Sequence, residues 1–523
     1  MTAVARAVAV SVIAALLVAA FPAAQSQGLT AGPQVARIYD AILDARFEQV
    51  LELLDQTCGP VVARPAANAP RPHPAVCQLL DVVSLWWQIQ INPGDTSHDA
   101  EFERRVSTAI SAAEAWTVAE PTRAEAWFYL GGAYGARGQL RVLRGQPLSA
   151  ARDGKRIKDA LERSLARDPQ LKDAYFGIGL YHYYADVAPA AAKILRFLLL
   201  LPGGDKVRGM REMLQARDGG QILRGEADYQ LHVLYLWYEH QPERARDLIG
   251  NLAERYPRNP HFPQLIAEIS DQYLHDDTAT LRAWQAMLSS AQAGRLALRG
   301  MAEARARIGI ATQLDRLHET DLSLEPLDAV IAARPTAPFG ALAQAWLLRG
   351  QALDRLGSRA EAVTAYTKAL ETIPVGDPHK VATAARAGLR AAPDADTTRA
   401  YRLSLEGWRA FERGALADAA RLLTQSRRLR PGDPVATYRH AKILLAQNDT
   451  RAALPLLDAV IRARERTPTT FYAYACVEAA ALYAQTGDRM KAAVLYGDAV
   501  DVYGADQRTK EIARRALMQL TTP

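Results

Sequence analysis

AWLLRGQALDRLGSRAEAVTAYTKALETIP, residues 345–374, sets the fold of this chain. The stretch divides at Gly357, where glycine takes a tight turn between two helices at no steric cost. Small residues at Gly350 and Ala362 let those helices approach closely, because larger side chains would hold them apart. Trp346, Tyr366 and Ala369 supply the apolar faces, and Pro374 closes the second helix. None of these positions does chemistry. Together they describe a helical hairpin built to pack against its neighbours.

The same arrangement recurs downstream. Gly407, Gly414, Ala419, Leu423 and Pro431 repeat it, and Ala441, Asn448, Ala453 and Leu457 follow at a spacing of 34 residues. Asn448 replaces the turn glycine, which asparagine can do because it tolerates positive φ. Ala480, Gly487, Ala492, Tyr496 and Ala499 give a fourth copy. Between the first and second copies the spacing is 57, so HKVATAARAGLRAA is expected to add an extra helix. QRTKEIARRALMQL should cap the array with a more polar face.

This pattern resembles the tetratricopeptide repeat, whose first helix reads W-x2-L-G-x2-Y and whose second reads A-x3-F before a proline. Arg349 stands where the leucine is usual and Leu353 where the tyrosine is usual. The resemblance implies an all-α chain of stacked helical hairpins, an α-solenoid, of the kind found in exported bacterial proteins with such repeats. It also implies a concave groove lined by first helices that binds a protein or peptide.

The N-terminal half carries a diverged form of the pattern. AWFYLGGAYGARG, residues 126–138, reads as a first helix with Gly138 at the turn. DAYFGIGLYHYYADVAP starts another, with Gly177 and Gly179 at close-packing positions, and QPERARDLIGNLAERYP reads as a second helix ending at Pro257. QVARIYDAILDARFEQVLELLDQ reads as a hairpin upstream of these. PGDTSHDAEFERR reads as a loop with a helix cap at Thr96 or Ser97 and an acidic first turn. The expected organisation is a segment 1–26, a diverged helical domain 27–295 and a repeat array 296–523.

KILRFLLLLPGGDKVRGM, residues 193–210, admits three readings: membrane dip, phosphate loop or joint between helices. The eight-residue run Ile194 to Leu201, apolar but for Arg196, is too short for the roughly 20 residues that cross a bilayer. A phosphate loop needs more glycines and a Lys-Ser/Thr pair after a strand. The joint remains, with Asp205 placed to cap the helix KVRGMREMLQA.

The first residues, MTAVARAVAVSVIAALLVAAFPAAQSQ, resemble a signal peptide: one arginine, an apolar core, Pro22, then Ala24 and Ser26 flanking a cleavage site before Gln27. The competing reading is a retained anchor. Cleavage implies a secreted or periplasmic protein with no integral membrane span. Cys58 and Cys77 bracket a loop with five prolines, and in an oxidising compartment a disulfide is its natural tie, with two free thiols as the alternative. Cys476 lies in an apolar helical pattern and reads as a small buried residue. The net charge is +6, with both signs spread along the chain and no dense basic block interleaved with aromatics, so nucleic-acid binding is not expected.

Chemistry is sparse. The ten histidines are dispersed. His182 in YHYYAD reads as a hydrogen-bonded histidine on an aromatic face, since no second ligand stands at metal spacing. LHETD, residues 317–321, is half of H-E-x-x-H, with Leu322 where the second histidine belongs. No catalytic residue, metal or cofactor is expected.

Recognition residues are expected on the first helices instead: Tyr401, Trp408 and Phe411, then Tyr438 and Lys442, then Tyr474, with Arg355 at the margin. They form either an aromatic groove wall or packing against an adjoining helix. The function read from these features is an exported scaffold or adaptor for protein partners in the cell envelope. The alternative is an enzyme, or a subunit serving one, with its site in the N-terminal half.

Protein recovered from its native compartment should have an intact mass that starts near Gln27. A membrane-bound form retaining residues 1–26 would show that the segment is an anchor.

Overall fold

The computed structural model describes residues 28–59, 70–187 and 203–521. Among the described residues there are 24 α-helices and no strand, arranged as successive helical hairpins. Contacts group the chain into two compact units: residues up to Trp87 with Ser97–Asp228, and Gln88–Thr96 with Tyr229–Pro523. Among the described residues no helix is long and apolar enough to cross a membrane. The segment 1–26 and the apolar run Ile194 to Leu201 lie outside the described residues. Asp205, just beyond that run, caps the helix Lys206–Gly219 by accepting the Arg208 amide at 2.9 Å.

The deciding stretch folds as expected. Helices Ala341–Leu356 and Arg359–Glu371 meet at Gly357, whose φ is 87°. A Cβ added to Gly350 would stand 2.6 Å from the Tyr366 ring, and one added to Gly388 would stand 2.5 Å from it. The ring therefore sits between two helix backbones that bring no side chain toward it at these positions, while its hydroxyl donates to Asp354 at 2.9 Å. Gly388 belongs to the helix Val381–Arg390, the extra element that accounts for the 57-residue interval. One repeat later a Cβ on Gly407 would overlap Leu423. The helix Gln507–Thr521 follows the last hairpin.

The turn position is more varied than glycine and asparagine. Asn448 has φ 61°, as expected, but His240 (51°), His275 (52°), His318 (60°) and Ala45 (54°) take the same left-handed conformation at other hairpins. Histidine is enriched in that region among non-glycine residues, so three turns were hidden from a search for glycine.

Two local expectations are corrected. Gly138 is not a turn: the helix Ala124–Leu143 runs through it, and the turn falls at Gly145, φ 67°. Arg137 and Arg141, four residues apart on one face, both pair with the fully buried Asp153, at 2.7 and 2.5 Å. That shared partner holds the helix in register across Gly138. Neither Thr96 nor Ser97 caps a helix; the helix Asp99–Ala119 starts after His98, with no side-chain cap. Its first carboxylate, Asp99, is taken by Arg144 at 2.6 Å.

Cys58 and Cys77 are joined by a disulfide with their Cα atoms 6.1 Å apart. A closed loop of this length restricts the unfolded chain by about 3 kcal/mol on the chain-entropy model. Cys476 is fully buried and free, as a small apolar residue.

Alanine ordinarily stabilises a helix interior by about 1 kcal/mol over glycine. The packing reverses that sign at Gly350, where Gly350→Ala should destabilise by about 1–3 kcal/mol through overpacking against Tyr366. Gly497 lies in the helix Arg489–Asp501 with nothing within 4 Å of a new Cβ. Gly497→Ala should therefore stabilise by up to ~1 kcal/mol. Urea unfolding of both variants decides; equal shifts would mean the Gly350 contact is slack.

Candidate functional site: the first-helix face of the C-terminal hairpins

The expected residues lie on four helices: Arg355 on Ala341–Leu356, Tyr401, Trp408 and Phe411 on Ala395–Glu412, Tyr438 and Lys442 on Pro434–Ala446, and Tyr474 on Thr469–Gln485. Trp408 and Phe411 stack at 5.0 Å, three residues apart on one helical face. Both are half-buried. Tyr438 and Tyr474 have ring centroids 6.0 Å apart. The Arg355 guanidinium lies 5.9 Å from the Tyr401 ring and pairs with Asp315 at 3.2 Å.

The row is interrupted at Tyr438. That residue is only 5% exposed and belongs to the core cluster with Phe471 and Tyr472. Its hydroxyl donates to Glu478 at 3.1 Å, and Lys442 reaches the same carboxylate oxygen at 2.6 Å. Burial raises the pKa of Glu478, and Lys442 opposes that rise. Lys442 is thus engaged with Glu478 and does not stand as a free cation at the margin.

A turn of the chain itself meets this face. His318 and Glu319 connect the helices Arg299–Arg316 and Thr320–Ala333. The His318 ring lies 5.8 Å from both Tyr401 and Phe471, and the Thr320 and Tyr401 hydroxyls are 2.6 Å apart. His318, the first residue of the half metal motif, therefore serves packing.

Arg439 stands at the centre of these contacts and is 1% exposed. It donates to the His318 carbonyl at 2.7 Å and to Ser404 Oγ at 3.2 Å, and approaches Glu319 at 3.5 Å. Its guanidinium lies 5.5 Å from the Trp408 ring centroid. Arg409 binds Asp321 with two nitrogens, at 2.7 and 2.8 Å, and pairs with Glu319 as well. A buried guanidinium demands such partners, since an unpaired one would be strongly destabilising. Burial lowers the pKa of Arg439 and raises that of Glu319, which Arg439 and Arg409 oppose. Sequence reasoning missed Arg439; a lone arginine amid the apolar positions of YRHAKILLA was the available signal.

In the other unit, His182 is 6% exposed and its Nδ1 lies 2.6 Å from Glu212, which also accepts from Arg208 at 2.8 Å. The hydrogen-bonded histidine expected there is what the structure contains. Among the described residues no group of three His, Cys, Asp or Glu side chains is placed to hold a metal ion.

Burial, and then the positive charge of Arg439, push the His318 pKa down to about 4. Between that value and the unfolded one of about 6.5 the ring is neutral in the folded chain and protonated in the unfolded one. The stability it contributes is whole above the unfolded value of about 6.5 and is lost as pH falls from there toward 4. His318→Asn keeps a residue that accepts the left-handed turn. The stability gap between wild type and this variant should narrow by about 2 kcal/mol from pH 7 to pH 5, at 1.36 kcal/mol per unit. Parallel urea midpoints at the two pH values would show instead that His318 is solvated.

Residues 410–475 match the family model described as tetratricopeptide repeat. No curated protein matches the chain. Similar solved structures include a tetratricopeptide repeat protein from Parabacteroides merdae, 14% identical over 57% of this chain and 99% of that one, with a TM-score of 0.25. NprR in complex with its cognate peptide NprX is 12% identical, covering 83% and 97%, with a TM-score of 0.32. The TPR2AB domain of yeast Sti1 in its pHSP90 complex is 15% identical, covering 57% and 96%, with a TM-score of 0.20.

Proposed function

We propose, for a chain whose residues 410–475 match the tetratricopeptide-repeat model, the role of an exported scaffold that holds another protein or peptide in the cell envelope. The observation that carries this reading is the Trp408–Phe411 stack, half-buried on a first helix and braced from beneath by Arg439. Rigid aromatic pairs on a packed scaffold are typical binding anchors, because little side-chain freedom is lost when a partner covers them. Tyr401 and Arg355 extend the same surface, while Tyr474 lies beyond the buried Tyr438, which with Lys442 is engaged by Glu478.

Export is supported by two features. The N-terminal residues resemble a signal peptide. The Cys58–Cys77 disulfide suits an oxidising compartment. The scaffold reading needs no catalytic residue; His182, on the helix to which the enzyme alternative points, is hydrogen-bonded to Glu212.

The test is capture of partners from envelope extract, followed by titration of the purified partner. Trp408→Ala should weaken binding by about 2 kcal/mol, roughly 30-fold, with the fold intact. Unchanged affinity would remove the aromatic pair from recognition.

A further inference from the structure

Two arginine-rich segments, RRLRPGDP at 427–434 and RARERTP at 462–468, each begin in the last turn of a hairpin's second helix and run on past it. Arg428, Arg430, Arg462, Arg464 and Arg466 are all exposed. None of the five closes a salt bridge within the described residues. The helix dipole accounts for Arg428 and Arg462, which lie in last turns. Arg464 lies over the Tyr472 ring at 5.1 Å. Arg430 is the C-cap residue of Leu416–Leu429 and helps hold the Asp394 carboxyl low without closing a salt bridge on it. Arg466 has neither explanation, because the dipole's influence fades beyond the last turn.

Those two arginines line one pocket of about 520 Å³. Its apolar wall comes from Leu429, Pro431, Pro434, Val435 and Pro468. Two exposed cations that close no salt bridge, beside a proline-lined apolar wall, match a ligand that carries both carboxylates and apolar side chains.

We propose that this pocket docks an acidic segment of a protein partner, with carboxylates on Arg430 and Arg466 and an apolar residue against Pro431, Val435 and Pro468. The proposal rests on the scaffold reading and adds the partner's chemistry. Nucleic acid fits less well: the aromatic ring among the lining residues is that of His318, which packs against Tyr401 and Phe471, and no Phe, Tyr or Trp lines the pocket for base stacking.

The test uses the full chain and a fluorescein-labelled peptide of alternating glutamate and leucine. Wild type should bind it in a salt-sensitive manner. Arg430→Gln/Arg466→Gln should weaken binding at least tenfold, and Arg430→Glu/Arg466→Glu should weaken it further. Arg386→Glu/Arg390→Glu places the same charge change on two exposed arginines of another helix and should leave binding within about twofold. Unchanged thermal midpoints establish that each variant is folded.

Equal loss in the control variant, or no binding by wild type, would overturn the proposal. So would tighter binding of an oligothymidylate, or of phosphatidylserine vesicles, abolished by the same arginine changes. If the peptide fails while partner capture still depends on Trp408, this pocket assignment falls and the scaffold reading stands.

Discussion

The close approach of paired helices is the constraint on which this structure depends. At Gly350 and Gly388 the backbone offers no side chain, and the Tyr366 ring occupies the space from both sides. Leu423 plays the same part against Gly407. A pair held this tightly presents a fixed face to the next pair, so successive hairpins stack in register with contacts that are mostly local. The aromatic surface inherits its rigidity from that packing. Trp408 follows Gly407 directly, so the residue that admits Leu423 on one side of the helix also fixes where the indole points on another.

Charge is handled differently in the two places where it gathers. Beneath Trp408, Arg439 and Arg409 are matched by Glu319, Asp321, Ser404 and a backbone carbonyl. Such pairing makes the polar cluster a fixed support, since removing one member would leave a buried charge without compensation. Around residues 430 and 466 the guanidiniums are exposed and form no salt bridges with described residues. The first arrangement holds the chain together; the second is available to another molecule.

Local features were legible in the sequence, and distant ones were not. The turn at Gly357, the extra helix Val381–Arg390, the cap at Asp205 and the tie between Cys58 and Cys77 each follow from residues close together in the chain. The turns at His240, His275 and His318 were missed because histidine is a weak turn signal, although it tolerates the left-handed conformation. Gly138 misled because a glycine after a first-helix pattern usually ends it, whereas Asp153 holds Arg137 and Arg141 on one continuous helix. The burial of Tyr438 and the placement of His318 beside Tyr401 depend on residues dozens of positions apart, which no local pattern encodes.

Hydrogen exchange of the full chain, with and without its captured partner, tests the recognition surface most directly. Binding at this face should slow amide exchange in residues 395–412 and around 428–435 and 464–471, with the rest of the chain nearly unchanged. Protection confined to residues 28–228, with none in those C-terminal segments, would contradict recognition by the C-terminal hairpins.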